Sequence, residues 1–380
     1  MYLTQEHELI RQTVRDFAER EIRPRAKDLD EKAEFSPELT KMMGELGLFG
    51  MYIPQEYGGQ GLDYLSYIIA VEEISRIDGS QAATLAAHNS LGVGPLYYFG
   101  NEEQRQKYVP QLCTGEALWG FGLTEPDAGS DSRGSKTKAH KEGDEWVING
   151  SKIFITNASA DMSVGSTVQT VTGLNENGDK EFTNFIMPRN TPGFKAVPMH
   201  GKMMWRASDT AELYFDDCRL PEENMLGGIG QGSKIMLSTL DSGRLSIAAM
   251  GLGCAQGAFE LALQYAKERK QFGKPIIKFQ VTAFKLADMA VKIEHARALL
   301  YKATWLKDQG QPFAMYSAMA KLYCSEIAKE VADEALQIHG GYGLMKDYEI
   351  ERFYRDQRLL QIGEGTSEIQ RMVISRYIGC

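Results

Sequence analysis

The sequence predicts an α+β multidomain protein: an N-terminal helical bundle, a middle antiparallel β domain and a C-terminal four-helix bundle. Apolar residues recur every three to four positions up to about residue 115. They alternate with polar ones in short runs from 116 to 232, then return to helical spacing from 233 to 380. The expected domains are therefore 1–115, 116–232 and 233–380. With 380 residues, 43% hydrophobic and 24% charged, the chain is large enough for two or three cores.

In the first block, Ile10, Val14 and Phe17 form a buried stripe among Glu6, Arg11, Arg15 and Glu19. Ser36, Pro37 and Glu38 mark the start of another helix, and Gly44 or Gly47 its end. The middle block has strand-like runs at 145–148, 152–156, 182–187 and 212–215. Turns are expected at Lys141–Asp144, Asn149–Ser151 and Pro192-Gly193, which suits a small antiparallel barrel or sandwich. In the last block, helices are expected at about 233–270, 280–308 and 313–339. Cys324, Ala328, Val331, Ala335 and Ile338 trace one apolar face of the third.

A formal net charge of -9 argues against nucleic acid or an anionic membrane as partner. The most apolar stretch, Leu245 to Leu263, contains Gln256, Glu260 and three glycines, so it reads as a packed helix and no membrane span is expected. Met1 leads into a charged helical pattern without a signal-like apolar run, and the expectation is a cytoplasmic protein. Five widely spaced cysteines and six dispersed histidines suggest neither disulfides nor a metal site.

Several familiar motifs fail. Gly227–Gly232 departs from the dinucleotide fingerprint and reads as a sheet-to-helix turn; Phe272-Gly-Lys-Pro275 lacks the upstream glycines and the hydroxyl of a nucleotide loop; no Gly-x-Ser-x-Gly elbow is present. Seven segments in order do carry information. They are Pro54–Gly61 (PQEYGGQG), Leu123–Asp131 (LTEPDAGSD), Asn149–Asn157 (NGSKIFITN), Leu240–Arg244 (LDSGR), Arg269–Pro275 (RKQFGKP), Gln337–Gly343 (QIHGGYG) and Gly363–Gln370 (GEGTSEIQ). Together they resemble the acyl-CoA dehydrogenases across nearly the whole chain.

The resemblance implies a FAD-dependent α,β-dehydrogenation of an acyl-CoA thioester to the 2-enoyl-CoA, with electrons passed to an electron-transfer flavoprotein. Glu364 matches the base that takes the α-proton while flavin N5 accepts the β-hydride; its backbone N–H and a ribityl hydroxyl polarise the thioester carbonyl. FAD contacts are expected from Phe121, Leu123, Thr124, Ser130, Phe154, Thr156, Arg269, Phe272, Gln280, Gln337, Gly340, Gly341, Thr366 and Glu368. Arg269 and Phe272, read as ending one helix, and Gln337, Gly340 and Gly341, ending the next, reach the adenosine half of FAD on a neighbouring subunit. A homo-oligomer follows, a dimer of dimers in most relatives. Phe154 and Thr156 alternate with Ile153 and Ile155, so one strand face offers a ring and a hydroxyl.

Substrate contacts are expected from Ser130, Asp241, Arg244, Gly363 and Gly365. Some relatives carry the base immediately before the arginine matching Arg244; here that residue is Gly243, which returns the assignment to Glu364. Straight-chain enzymes commonly have tyrosine before the base, whereas this chain has Gly363, which leaves more room beside the α-carbon and suggests a bulkier, branched or alicyclic acyl group; the expected substrate class is a short, branched or alicyclic acyl-CoA. His88 is the only basic residue in the segment where glutaryl-oxidising relatives keep a carboxylate-binding arginine, which argues against a dicarboxyl substrate. Ser367 and Gln370 read as a capping box for the final helix. The alternatives are an oxidase of the same fold, revealed by hydrogen peroxide, and a non-catalytic acyl-CoA binder, revealed by failure to bind FAD.

Overall fold

The structure is a computed structural model and describes residues 3–380. Its first helices are α1 Gln5–Phe17, α2 Arg23–Lys32, α3 Pro37–Glu45, α4 Tyr64–Ser75, α5 Gly79–Ala87, α6 Gly94–Phe99 and α7 Glu102–Leu112. The sheet comprises β1 Leu118–Gly122, β2 Lys138–Glu142, β3 Glu145–Thr156, β4 Ser163–Leu174, β5 Lys180–Pro188, β6 Phe194–Pro198, β7 Thr210–Pro221 and β8 Met225–Leu226. Then come α8 Gly232–Glu268, α9 Gln280–Asp308, α10 Ala314–His339, α11 Ile350–Leu360 and α12 Ser367–Tyr377.

Local chemistry sets these elements. In α1, Val14 and Phe17 are buried while Ile10 packs from the rim of the core. At the start of α3, Ser36 Oγ accepts the Leu39 N–H at 3.2 Å ahead of Pro37, a cap contributing about 1 kcal/mol. Between α5 and α6 the chain widens into a π-helical turn, His88–Val93. Such turns often occur at functional sites, and this one delivers Leu91 to the site described below.

The strands run in the order β6-β7-β3-β2-β4-β5-β8, with β1 parallel to β4. The β2–β3 hairpin turns at Gly143 (φ 62°), as its sequence predicts, with Glu142 opposite Glu145. The second expected turn, Asn149–Ser151, is not a turn. Strand β3 continues through it beside a bulge in β7, where Asp217 takes φ 48° and exchanges two 2.9 Å hydrogen bonds with Asn149. Gly150 is required by close approach: an added Cβ would lie 2.6 Å from Thr137 Oγ1.

The helical blocks at the two ends of the sequence share one core, in which Ile68 and Ile69 join Leu245, Leu252, Met289, Ile293, Cys324 and Ala328. Alternation and spacing describe each block separately and could not show this merger. The α8 glycines permit it. A Cβ on Gly251 would sit 2.8 Å from the Cys324 carbonyl oxygen, and one on Gly253 or Gly257 would run into the Glu72 or Arg76 carbonyl. By length and composition α8 is apolar enough to cross a membrane, yet 78% of its most apolar window is buried inside the fold. Trp146, Phe185, Leu213 and Phe215 fill a second core within the sheet. Trp119, Val93, Leu226 and Ile235 join sheet to helices in a third.

Candidate active site

Glu364 occupies the turn between α11 and α12. The α11 helix closes with the Ile362 and Gly363 N–H groups both donating to the Leu359 carbonyl at 2.8 Å. The chain then takes φ 52° at Glu364 and 92° at Gly365. A left-handed glutamate costs on the order of 1 kcal/mol and needs surroundings that enforce it. They do so through Lys321 Nζ, which donates to the Gly365 carbonyl at 2.7 Å, and Gln370 Nε2, which donates to the Glu364 and Gly365 carbonyls at 3.2 and 2.9 Å. The expected Ser367–Gln370 capping box is therefore absent. Thr366 is the cap, accepting the Ile369 N–H at 3.3 Å, while Ser367 Oγ donates to Glu326 at 2.7 Å. Gln370 is drawn back to the turn, where it is the partner of the Glu364 carbonyl and shares the Gly365 carbonyl with Lys321.

The Glu364 side chain turns inward. Its Oε2 is buried without a hydrogen-bond partner and abuts Gly243 of α8. A Cβ at 243 would collide with that carboxylate and lie 3.1 Å from Leu91 Cδ2. Burial pushes the Glu364 carboxyl up to about 7, against the opposing pull of Lys321 and Arg244. Such a carboxylate is matched to a proton acceptor at neutral pH. Among the described residues nothing accepts the Glu364 N–H, leaving it able to polarise a carbonyl.

The first turns of α8 supply the neighbouring charges. Arg244 is 4% exposed; one guanidinium nitrogen lies 2.5 Å from Asp241 Oδ1 and its Nε is unpaired. Burial raises the Asp241 carboxyl although Arg244 and Lys307 resist it. Gly363 and Gly365 flank the base; a Cβ on Gly363 would meet Leu359 Cδ2 at 3.1 Å.

A second group of expected residues gathers at the sheet. Leu123 and Thr124 leave β1, and the Thr124 carbonyl accepts the Ile153 N–H at 2.8 Å. Beneath them Lys152 Nζ donates to the Leu123 carbonyl at 3.1 Å and to Glu125 at 2.7 Å. Glu125 also accepts the Lys136 and Thr137 N–H groups at 2.6 and 3.0 Å. Burial alone would raise this carboxyl; Lys152 and those donors hold it below its ordinary range. Phe154 stands at a bulge with φ 62° and is 62% exposed. The simple alternation therefore breaks: Ile155 is buried as expected, but Ile153 is only half-buried, with Thr156 half-buried beside the exposed ring. Phe121 is buried within β1 and Ser130 lies on an exposed loop.

A third group is distant. Arg269 does end a helix, as the C-cap of α8 with its N–H donating to the Tyr265 carbonyl at 2.8 Å, but Phe272 does not. Helix α8 stops at Glu268, and Lys270–Pro275 form a small hairpin turned at Phe272 (φ 51°) and Gly273, with Phe272 92% exposed. Arg269 stacks 5.3 Å from the Tyr342 ring, next to Gly340 and Gly341, while Gln337 and Gln280 are exposed; Glu368 is exposed too, but on α12, four residues after Glu364 and outside this distant group. Twenty-five residues of helix, roughly 37 Å, separate Arg244 from Arg269. One chain thus does not bring this group to Glu364. The residues fit FAD in kind: an exposed ring at Phe154, backbone groups at Leu123 and Thr124, and open glycines at 340 and 341, where an added Cβ meets nothing within 4 Å.

Sequence reasoning did not single out Lys321, Leu91 or the Glu125–Lys152 pair. Lys321 was detectable, because it lies three residues before Cys324 on the apolar stripe, where a charge is anomalous. Leu91 and the ion pair carry no local signal. Among the described residues, no cluster of metal-ligating side chains occurs.

Residues 4–116, 120–218 and 230–379 match the N-terminal, middle and C-terminal domains of acyl-CoA dehydrogenase. The chain is 51% identical over 376 residues to the probable acyl-CoA dehydrogenase YngJ of Bacillus subtilis, covering 99% of this chain and 98% of that one. It is 48% identical over 374 residues to a short-chain specific acyl-CoA dehydrogenase of Clostridium acetobutylicum, covering 98% of each. The solved structure of butyryl-CoA dehydrogenase from Megasphaera elsdenii superimposes with a TM-score of 0.96 at 42% identity, covering 100% of this chain and 99% of that one. With all three of its domains matched and relatives aligned end to end, the chain belongs to the acyl-CoA dehydrogenase family.

Proposed function

We propose that this enzyme oxidises short acyl-CoA thioesters to their 2-enoyl-CoA products, with Glu364 as the residue that takes the α-proton. The buried, unpartnered Glu364 Oε2 carries this reading. FAD is the cofactor of the family, and when bound it supplies the hydride acceptor. The chain's own part is to keep a carboxylate dry enough to be basic, to present the Glu364 N–H to the thioester oxygen, and to exclude water with Leu91 and the helix faces around it. Leu123, Thr124, Phe154 and Thr156 are proposed to hold the flavin ring, with Phe121, Ser130, Thr366 and Glu368 around it. Asp241, Arg244, Ser130, Gly363 and Gly365 are proposed to hold the thioester.

Close packing between α4, the π-turn and α8 supports a short chain. Tyr67 OH donates to the Ala86 carbonyl at 2.9 Å, and Ser90 and Ser246 pair at 3.2 Å, filling the space between α4, the π-turn and α8. The names of the relatives point the same way. His88 cannot serve a second carboxylate: it is fully buried, bonded to the Leu112 carbonyl and the Trp119 N–H, and pushed down to about 4 by burial. Gly363 removes a side chain next to the base, and a branched or alicyclic preference remains the expectation from it. Anaerobic mixing with straight, branched and cyclohexanecarbonyl thioesters, following flavin bleaching, tests both points. Fast bleaching by long straight chains would overturn the short-chain reading, and equal rates for butanoyl and cyclohexanecarbonyl thioesters would remove the Gly363 bias.

The pH dependence has a definite sign. The base works ionised, so kcat/KM is expected to fall about tenfold per unit below roughly pH 7 and to level off above it. A limb near the free carboxylate value of about 4.3 would mean that the base is solvated.

Electrons are proposed to pass to an electron-transfer flavoprotein; rapid peroxide formation in air would favour the oxidase alternative. We also propose a homo-oligomer, a dimer of dimers, because Phe272, Val281, Phe284 and Leu344 present exposed apolar surface near the distant FAD group. Phe272→Asp is then expected to weaken the assembly and FAD retention together, read by light scattering and flavin absorbance. The division at 115/116 and 232/233 is supported by the change of element type at Leu118 and Gly232. A cytoplasmic location is supported by five unpaired cysteines.

A further inference from the structure

We propose that Lys321 is a positioning residue for the base: its ammonium anchors the Gly365 carbonyl and supplies the counter-charge for ionised Glu364. This rests on the reading of Glu364 as the base. Lys321 lies on α10 and is fully buried, and the Gly365 carbonyl at 2.7 Å is its one acceptor among the described residues. An ammonium has three donors, and burying one with a single hydrogen bond is costly unless a charge faces it.

The charged groups around it narrow the choice. On α10 itself Glu326 is committed to Gln361 Nε2 at 2.8 Å, Ser367 Oγ at 2.7 Å and Arg371 at 3.6 Å. Glu368 on α12 is exposed. On α8, Arg244 has the same sign as Lys321 and is engaged by Asp241. From α4 the buried phenols of Tyr64 and Tyr67 stay neutral, burial raising both. Glu364 is the carboxylate left with a buried, partnerless oxygen. Burial pushes Lys321 down to about 8, with Glu364 foremost among the charges that oppose the shift. Without the ammonium, burial of Glu364 would be opposed by Arg244 alone.

The test is the pH profile of kcat/KM for anaerobic flavin bleaching by butanoyl-CoA, compared between the native enzyme, Lys321→Gln and Lys321→Arg. The glutamine keeps a donor for the Gly365 carbonyl but no charge. Its acid limb is expected to move up by about one unit, making it about fivefold slower at pH 7 and near native well above that limb. Lys321→Arg is expected to keep the limb where the native enzyme has it. A Lys321→Gln profile that superimposes on the native one, or a Lys321→Arg limb displaced as far as that of Lys321→Gln, would overturn the proposal. If Lys321→Gln fails to accumulate as yellow protein, Lys321→Met takes its place with the same expected shift; failure of both would assign Lys321 to folding and equally overturn the proposal. Glu364→Gln separates the two ideas. If it bleaches at the native rate, the base assignment falls, whereas an inactive Glu364→Gln beside an unshifted Lys321→Gln sinks only the role of Lys321.

Discussion

Replacing Glu364 with glutamine is expected to leave a yellow, folded enzyme whose flavin is bleached at least roughly a thousandfold more slowly, a loss of about 4 kcal/mol in transition-state stabilisation. Glutamine preserves the volume of the side chain and can keep the left-handed turn, since the Lys321 and Gln370 clamps act on the Glu364 and Gly365 carbonyls and not on the carboxylate. What is lost is the oxygen that can receive a proton. The other place where the family carries this base cannot compensate: Gly243 has no side chain, and the structure gives the reason. Any Cβ there would occupy the space that the Glu364 carboxylate fills. The two positions are therefore mutually exclusive, not redundant. Single-turnover bleaching by butanoyl-CoA is the decisive measurement; a rate within tenfold of native would require a different proton acceptor.

Most of the architecture was legible because each block has its own hydrophobic period. The long helices expected at 233–270, 280–308 and 313–339 are found at 232–268, 280–308 and 314–339. Reading failed where one residue type serves two geometries. Asn149-Gly150 suits a hairpin, yet the chain uses that glycine for an approach to Thr137 and the asparagine to hold a bulge on the neighbouring strand. Phe272-Gly273 has the pattern of a helix end and forms a hairpin tip. For Ser367 and Gln370 the box spacing is off by one residue: Thr366 is an equally good cap, and the carbonyls of Glu364 and Gly365 claim the amide of Gln370. The site itself divides in the same way. Glu364 stood out through its flanking glycines and the family likeness. Its burial, the opposing Gly243 and the Lys321 contact depend on three elements spread over more than a hundred residues of sequence, and no local pattern encodes such a meeting.

The second large effect concerns stability. Glu125→Ala is expected to cost about 3–5 kcal/mol, because it leaves the Lys152 ammonium, whose side chain is 0% exposed, with only the Leu123 carbonyl at 3.1 Å. It also strips the acceptor from the Lys136 and Thr137 N–H groups. In a thermal melt a loss of this size lowers Tm on the order of 10 °C. Replacing both partners, Glu125→Leu with Lys152→Met, should cost less than Glu125→Ala, since no charge is then stranded. The pH dependence distinguishes this ion pair from simple packing. Glu125 is held below its ordinary range in the folded protein, so its contribution is complete above the unfolded carboxylate value of about 4.3 and is lost as pH falls through the lower folded value. The Tm gap between native enzyme and Glu125→Ala should accordingly be wide at neutral pH and close in acid; a gap independent of pH would mean that shape, not charge, was removed. The same pair carries the backbone of Leu123, on whose neighbour Thr124 the flavin assignment partly rests. Glu125→Ala is therefore expected to shed FAD before it melts, linking a stability defect in the sheet to loss of colour without any change at Glu364.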